Sequence, residues 1–263
     1  MTMRLIALAL LVTQAPQGAE ERLKKLASQV TFVRPEPQND EARRVLELLT
    51  SPDRWAAGFR TVEGKIGAFS DATALEVTFD FDGREFAKMA GDTKLRFNLG
   101  KLEEYQKKLD ALERQRKDLA KQGKKMVFRL PPAKLERFIP HELCHVLQKQ
   151  RKVEAPEWFV EGLAQWVGDD PNVLIGFGLA GKKVDGIESA LADPDDVYAR
   201  GHLFFMWLES RGALRKAARA AFFEAVPWKK ALEDATGLAW DKLVPAERDW
   251  SLREAEKLRP KEK

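Results

Sequence analysis

Residues 141–145 read His-Glu-Leu-Cys-His, and this spacing constrains the fold more than any other feature of the chain. On a helix, residues four apart lie about one turn apart on the same face, so both imidazoles can reach one metal ion. Glu142 would lie beside them, where a carboxylate can act as a general base. The chain has three histidines, and two of them fall in this motif. A helix with two ordinary histidines is the alternative interpretation.

A zinc site needs at least a third protein ligand, which must come from another segment. A second helix is predicted to follow Pro156. Three of its residues share one face at spacings of three and four, namely Trp158, Glu161 and Gln165. Gly162 has no side chain and is expected to let this helix lie close to the first. Glu161 is the predicted third ligand, because the competing acids Glu154 and Glu157 lie before the helix or at its start.

The two segments resemble the gluzincin metallopeptidases, specifically the peptidase MA-like domains of exported bacterial proteins. The matching runs are Pro140-His-Glu-Leu-Cys-His-Val-Leu-Gln148 and Pro156-Glu-Trp-Phe-Val-Glu-Gly-Leu-Ala-Gln-Trp166. The resemblance implies a zincin-like α+β fold and one Zn²⁺ per chain. It also implies particular site residues, with Glu142 as the catalytic base and His141, His145 and Glu161 as metal ligands.

The similarity continues downstream. Residues 198–212 resemble the tyrosine-bearing helix of this family, which implies that Tyr198 donates a hydrogen bond to the developing oxyanion. His202, one turn further on, is the weaker candidate for that role. Relatives often have an acidic residue at the position of Gln165, where it orients a histidine ligand. An amide can still accept a hydrogen bond from an imidazole, although it raises the basicity of the ligand less.

Residues 20–125 are expected to form an α/β region, and residues 126–263 the zinc-site region with a C-terminal helical lobe. Short β-rich runs separated by turn residues predict a small, mostly antiparallel sheet. The charged stretch 101–124 is predicted to be a solvated helix with one packed edge, and the alternative is a coiled-coil partner site. Pro140 is expected either to kink the helix that contains the histidines or to restart it. The predicted strands are 30–33, 65–69, 74–81, 95–99 and 126–130.

The first residues are typical of an export signal. A positively charged start at residues 1–4 precedes an apolar run at residues 5–12, which is too short to span a bilayer. We expect a signal peptide over residues 1–19 and a periplasmic or secreted protein. Cleavage after Ala19 would place Gln17 at the minus-three position, where a small residue is usual. An uncleaved segment that contacts the membrane and a buried N-terminal helix are therefore the alternatives.

Several classes of partner are not indicated. The formal net charge of +4 is small for 263 residues, so nucleic acid is not an expected partner. Residues 176–181 fit a dinucleotide fingerprint, but no surrounding βαβ pattern is visible, so no nucleotide is expected. Cys144 is the only cysteine and is expected to point into packing.

The sequence predicts zinc-dependent hydrolysis of peptide bonds in a peptide or protein substrate, with Glu142 taking a proton from the attacking water. The alternative is a catalytically silent zincin-like protein that serves as a binding or scaffold module of the cell envelope. The presence of Glu142 favours catalysis, because a purely structural zinc site does not need it.

Overall fold

The structure is a computed structural model that describes residues 17–82, 85–123, 134–169 and 194–258. The described residues form an α+β fold that is mostly helical and contains a small mixed sheet. The predicted α+β class is therefore confirmed. Within the described ranges, no helix has the length and apolar character needed to cross a membrane.

The elements before the histidine motif are four helices and four strands among the residues described. The helices are α1 (Gln17–Ser28), α2 (Asp40–Leu49), α3 (Pro52–Lys65) and α4 (Leu99–Lys121), and the strands are β1 (Val30–Val33), β2 (Leu75–Asp80), β3 (Ala87–Met89) and β4 (Lys94–Asn98). Local chemistry explains several starts. Asn39 and Asn98 cap α2 and α4 by accepting from the backbone N–H of Ala42 and Lys101. Pro52 occupies the first turn of α3, where its missing N–H costs nothing.

The sheet is mainly parallel, so the prediction of a mostly antiparallel sheet is wrong. Its strand order is β1-β2-β4-β3 among the described residues. The β1/β2 and β2/β4 pairs are parallel, and only β3/β4 is antiparallel. The crossover through α2 and α3 makes β1 and β2 parallel. β3 follows β2 in the chain but pairs with β4 instead, so the turn residues after β2 do not form a hairpin between neighbouring strands.

The strand predicted at residues 65–69 is also wrong. Lys65 ends α3, and the next residues form a loop that carries buried Ile66 and Phe69. Apolar residues recur at helical spacing through this region and are buried, which explains why the helix forms. They are Trp55, Phe59, Val62 and Ile66.

The charged helix α4 packs only at its beginning. Leu99, Leu102 and Glu103 are buried, whereas Leu112 further along is 47% exposed. The helix is largely solvated, as expected, but its packing is confined to its first turns and does not follow one edge along its length.

The second half of the described chain is helical. A short 3₁₀ turn (Leu135–Arg137) precedes α5 (Phe138–Gln150), and α6 (Glu157–Gly168) follows. Then come α7 (Pro194–Ser210), α8 (Leu214–Phe223), α9 (Trp228–Thr236) and α10 (Trp240–Leu258). A continuous hydrophobic core joins these helices to the sheet. The expected C-terminal helical lobe is present.

Three features of the sequence analysis fall on residues outside the described ranges. They are the signal segment up to residue 16, the strand at 126–130 and the fingerprint at 176–181. The signal cleavage expected after Ala19 would fall within the first turn of α1.

Candidate metal centre

Both histidines of the motif lie on α5, which begins at Phe138 after the 3₁₀ turn. Pro140 is the third residue of this helix, where the backbone N–H has no helical acceptor, so proline breaks no hydrogen bond there. The helix therefore starts just before the motif and passes through it without interruption. Ile139, Leu143 and Val146 are fully buried on its inner face, whereas the side chains of His141 and His145 line a cleft.

Close approach to the neighbouring helices depends on glycines. A Cβ at Gly168 would lie 3.0 Å from the carbonyl oxygen of Arg137 and 3.3 Å from Cβ of His141, so Gly168 is where α6 closely approaches α5. A Cβ at Gly162 would lie 2.4 Å from the backbone of Gly201 on α7. The expectation that Gly162 brings α6 toward the first helix is therefore wrong. Gly162 serves the contact between α6 and α7.

The structure brings His141, His145 and Glu161 together. The Nε2 atoms of the two histidines lie 3.2 Å apart. Oε2 of Glu161 lies 3.4 Å from Nε2 of His145 and 3.7 Å from Nε2 of His141. Tetrahedral zinc with bonds of about 2.0–2.1 Å holds its ligand atoms about 3.3 Å apart. The three side chains therefore fit one zinc ion, and they form the cluster able to hold a metal among the described residues.

The charges around the cluster favour a cation. Burial by itself lowers the pKa of His145, but a hydrogen bond with Glu161 and the negative charges of Glu142 and Glu161 outweigh it and raise that pKa to about 9. Burial, followed by the charges of His145 and Arg137, holds the pKa of His141 well below its usual range. One proton is thus stabilised on His145, between neutral His141 and the carboxylates.

A hydrogen bond orients the imidazole ring of His145. Nδ1 of His145 lies 2.7 Å from the amide oxygen of Gln148. The Nε2 atom is left facing the cluster, as a metal ligand requires. Gln165, the expected orienting residue, lines the same cleft.

Glu142 is the second carboxylate at the cluster. Oε1 lies 3.8 Å from Nε2 of His141, and Oε2 is buried without a hydrogen-bond partner among the described residues. Burial raises the pKa of Glu142 to about 7, despite the opposing charge of His145. A carboxylate with a pKa near neutrality and an open acceptor atom is well suited to general-base chemistry.

Tyr198 and His202 occupy different environments, although both lie on α7. Tyr198 lines the cleft and is 38% exposed, whereas His202 is buried and is not one of the cleft-lining residues. Burial and the charge of Glu161 raise the pKa of Tyr198 to about 12, which keeps its hydroxyl protonated as a donor. Of the two candidate oxyanion donors, only Tyr198 can contact a molecule bound in the cleft.

The cleft has a volume of about 1120 Å³. One wall is formed by α5 and α6, and another by Phe86 and the edge strand β3.

Trp158 does not line the cleft, since its side chain is buried against Phe204 and Trp228. Cys144 is fully buried, as expected, and burial raises its pKa well above the usual value.

Sequence reasoning missed two contributors to this site. Gln148 lies three residues after His145 and so on the same helix face. That spacing was the available signal. The approach of β3 depends on long-range packing, and no local pattern marks it.

Comparison of the chain with protein-family models, with curated proteins and with solved structures found no match. What the protein does is therefore inferred from the chemistry of the cleft and from the sequence motifs.

Proposed function

We propose that this protein is a zinc-dependent peptidase of the gluzincin type, exported from the cytoplasm, that hydrolyses peptide bonds in this cleft. The main observation behind the proposal is the convergence of two imidazole nitrogens and a carboxylate oxygen, with separations of 3.2–3.7 Å, beside the second carboxylate of Glu142. The two-part motif that resembles the peptidase MA-like family supports the same function.

His141, His145 and Glu161 would hold the metal through Nε2, Nε2 and a carboxylate oxygen. When bound, zinc would supply Lewis-acid polarisation of the scissile carbonyl and of a water molecule. The two neutral imidazoles and one carboxylate are the ligand types found in catalytic zinc sites with three protein ligands.

Glu142 would take up a proton from the attacking water. Its Oε2 atom makes no other hydrogen bond among the described residues, and its pKa of about 7 is near the optimum for proton transfer at neutral pH. After the attack, the same carboxyl group would give the proton to the leaving amine.

Tyr198 would donate a hydrogen bond to the negative charge that develops on the carbonyl oxygen. The hydroxyl is suited to this role because its raised pKa keeps it protonated across the physiological range.

The edge strand β3 suggests how a peptide would be held. The N–H of Asn98 donates to the carbonyl of Phe86 across the β3/β4 pair. In an antiparallel ladder the backbone N–H and C=O groups of successive residues point to opposite sides of the strand. Ala87 and Met89 therefore direct their N–H and C=O groups to the open edge of the sheet. Both residues line the cleft. An extended peptide could add to this edge as a further strand, which makes a peptide a suitable substrate.

The test combines metal analysis with cleavage of a peptide library. We expect about one zinc per chain, and we expect Glu142→Gln to retain the metal and lose hydrolysis. Glu47→Gln is the matched control, since Glu47 is an exposed glutamate on α2, which does not line the cleft. Cleavage by the Glu142→Gln variant at the wild-type rate would contradict the mechanism. A zinc-loaded wild type that cleaves nothing would favour the silent scaffold protein instead.

A further inference from the structure

We propose that Gln148 is a positioning residue of the metal centre, which fixes the tautomer of His145 and ties that ligand to the helix that carries Glu161. This inference rests on the proposed zinc site. Gln148 is 5% exposed, and its side chain spans the gap between α5 and α6.

The orientation of the Gln148 amide follows from its two partners. Its nitrogen donates to the backbone carbonyl of Val160 at 3.0 Å, and that carbonyl can only accept. The amide oxygen must therefore point the other way, to Nδ1 of His145 at 2.7 Å. A flipped amide would place two acceptors against each other at Val160, so the hydrogen-bond pattern permits one orientation.

That orientation determines where the proton of His145 lies. An amide oxygen accepts only, so Nδ1 of His145 must carry the proton and donate. In the neutral ring, Nε2 then has a free lone pair, directed at His141 and Glu161. The other neutral tautomer would place a proton on the atom that should bind the metal.

The second hydrogen bond of Gln148 acts on the third ligand. Val160 immediately precedes Glu161 on α6, so the amide joins the ring of one ligand to the backbone beside another. Because both bonds are made within the protein, the ligand atoms of α5 and α6 are held close together before a metal ion arrives. Because these side chains are already ordered in the metal-free protein, the entropic cost of ordering them does not reduce the affinity for the metal.

Gln148→Leu removes both hydrogen bonds with little change in volume. We expect zinc affinity to fall by about 10–100-fold, as is typical when a hydrogen-bond partner of a metal-bound histidine is removed. Affinity is measured by competition with a chromophoric chelator, which does not depend on catalysis.

Gln150→Leu is the matched control. Gln150 is the same residue type on the same helix, and its amide nitrogen donates to Thr73 Oγ1 at 2.9 Å, outside the metal cluster. We expect this variant to retain the wild-type zinc affinity. Equal affinity of the Gln148→Leu variant and the wild type would overturn the inference, as would an equal loss in the Gln150→Leu variant.

Gln148→Glu tests the link to His145 and also covers the case in which the leucine variant does not fold. A carboxylate can accept from Nδ1 of His145 but cannot donate to Val160, so we expect zinc affinity above that of the leucine variant. If the leucine variant does not fold, a glutamate variant that binds zinc within about tenfold of the wild type supports the role of the histidine hydrogen bond. A greater loss in the glutamate variant would overturn that role. Failure of the wild type to bind zinc is a different result, and it would remove the proposed metal centre as a whole.

Nitrogen-15 NMR of labelled histidines in the zinc-loaded protein gives a readout that a merely structural role would not change. We expect a slowly exchanging Nδ1–H of His145 in the wild type and in the Gln150→Leu variant, and fast exchange in the Gln148→Leu variant. An Nδ1–H that is equally protected in all three proteins would contradict the proposal.

Discussion

Oε2 of Glu161 lies 3.4 Å from Nε2 of His145, although the two residues belong to different helices. Glu161→Ala should therefore weaken zinc binding by more than about 100-fold, because it removes a metal ligand itself. The loss should exceed that caused by removing a residue that only hydrogen-bonds a ligand. Zinc content after dialysis and a chelator competition assay would measure this. Glu157→Ala is the control on the same helix, because Glu157 is exposed. Equal zinc affinity of the two variants would argue against Glu161 as a ligand.

Tyr198→Phe should lower kcat/KM by about 10²–10³-fold and leave the zinc content unchanged, because it removes one donor to the developing oxyanion. The chain contains only one other tyrosine, Tyr105, which packs against Phe86 and Phe138. Tyr105→Phe is thus the natural control, and its kcat/KM should stay close to that of the wild type. A Tyr198→Phe enzyme with unchanged kcat/KM would exclude the hydroxyl from the reaction.

Gly162→Ala should destabilise the protein by at least about 1–3 kcal/mol, since the new Cβ would lie 2.4 Å from the backbone of Gly201. Gly64→Ala is the matched helical control, because a Cβ there has no neighbour within 4 Å. Replacing this glycine should leave the free energy of unfolding unchanged or raise it by up to about 1 kcal/mol. Urea unfolding curves of the two variants would reveal the difference, and similar midpoints would contradict the tight contact between α6 and α7.

Arg200 and Glu247 form a buried bidentate ion pair that joins α7 to α10. Ser251 also donates to Glu247, at 2.6 Å. Glu247→Ala would remove the carboxylate of this ion pair from the buried Arg200 and should reduce the free energy of unfolding by about 3–5 kcal/mol. The double variant Arg200→Met with Glu247→Leu should recover most of this loss, because two apolar side chains need no ionic partner. Denaturant titration tests both, and a double variant less stable than Glu247→Ala would contradict the argument.

Zinc affinity should rise with pH between about 7 and 9. The pKa of His145 in the metal-free cluster is raised to about 9, chiefly because Glu161 and Glu142 outweigh the effect of burial. Below that pH, a proton must leave before zinc can bind, so affinity should increase by about tenfold per pH unit and level off above pH 9. Ionisation of Glu142, with its pKa of about 7, acts in the same direction. Chelator competition at several pH values tests this, and a flat profile would contradict it.

Local patterns predicted the strands at 30–33, 74–81 and 95–99, which lie within one residue of β1, β2 and β4. They did not predict the directions in which these strands pair. The helix after Pro156 and the charged helix α4 are set by spacing and propensity within a few residues, so the sequence shows them directly. The direction of each strand depends on which neighbour it pairs with, and that choice is made by packing across the whole molecule. A local pattern could have corrected the strand predicted at 65–69, since Phe59, Val62 and Ile66 continue the helical spacing of buried residues in α3.

For the site, the sequence by itself determined that His141 and His145 share one helix face and that Glu161 lies on a second helix. Only the tertiary structure decided that these helices bring the three candidate ligand atoms within 3.7 Å of one another. It also decided that Gly168 rather than Gly162 allows this approach, and that Gln148 holds His145. The physical reason is that helical spacing is set by hydrogen bonds four residues apart, whereas contacts between helices depend on shape and burial over the entire chain.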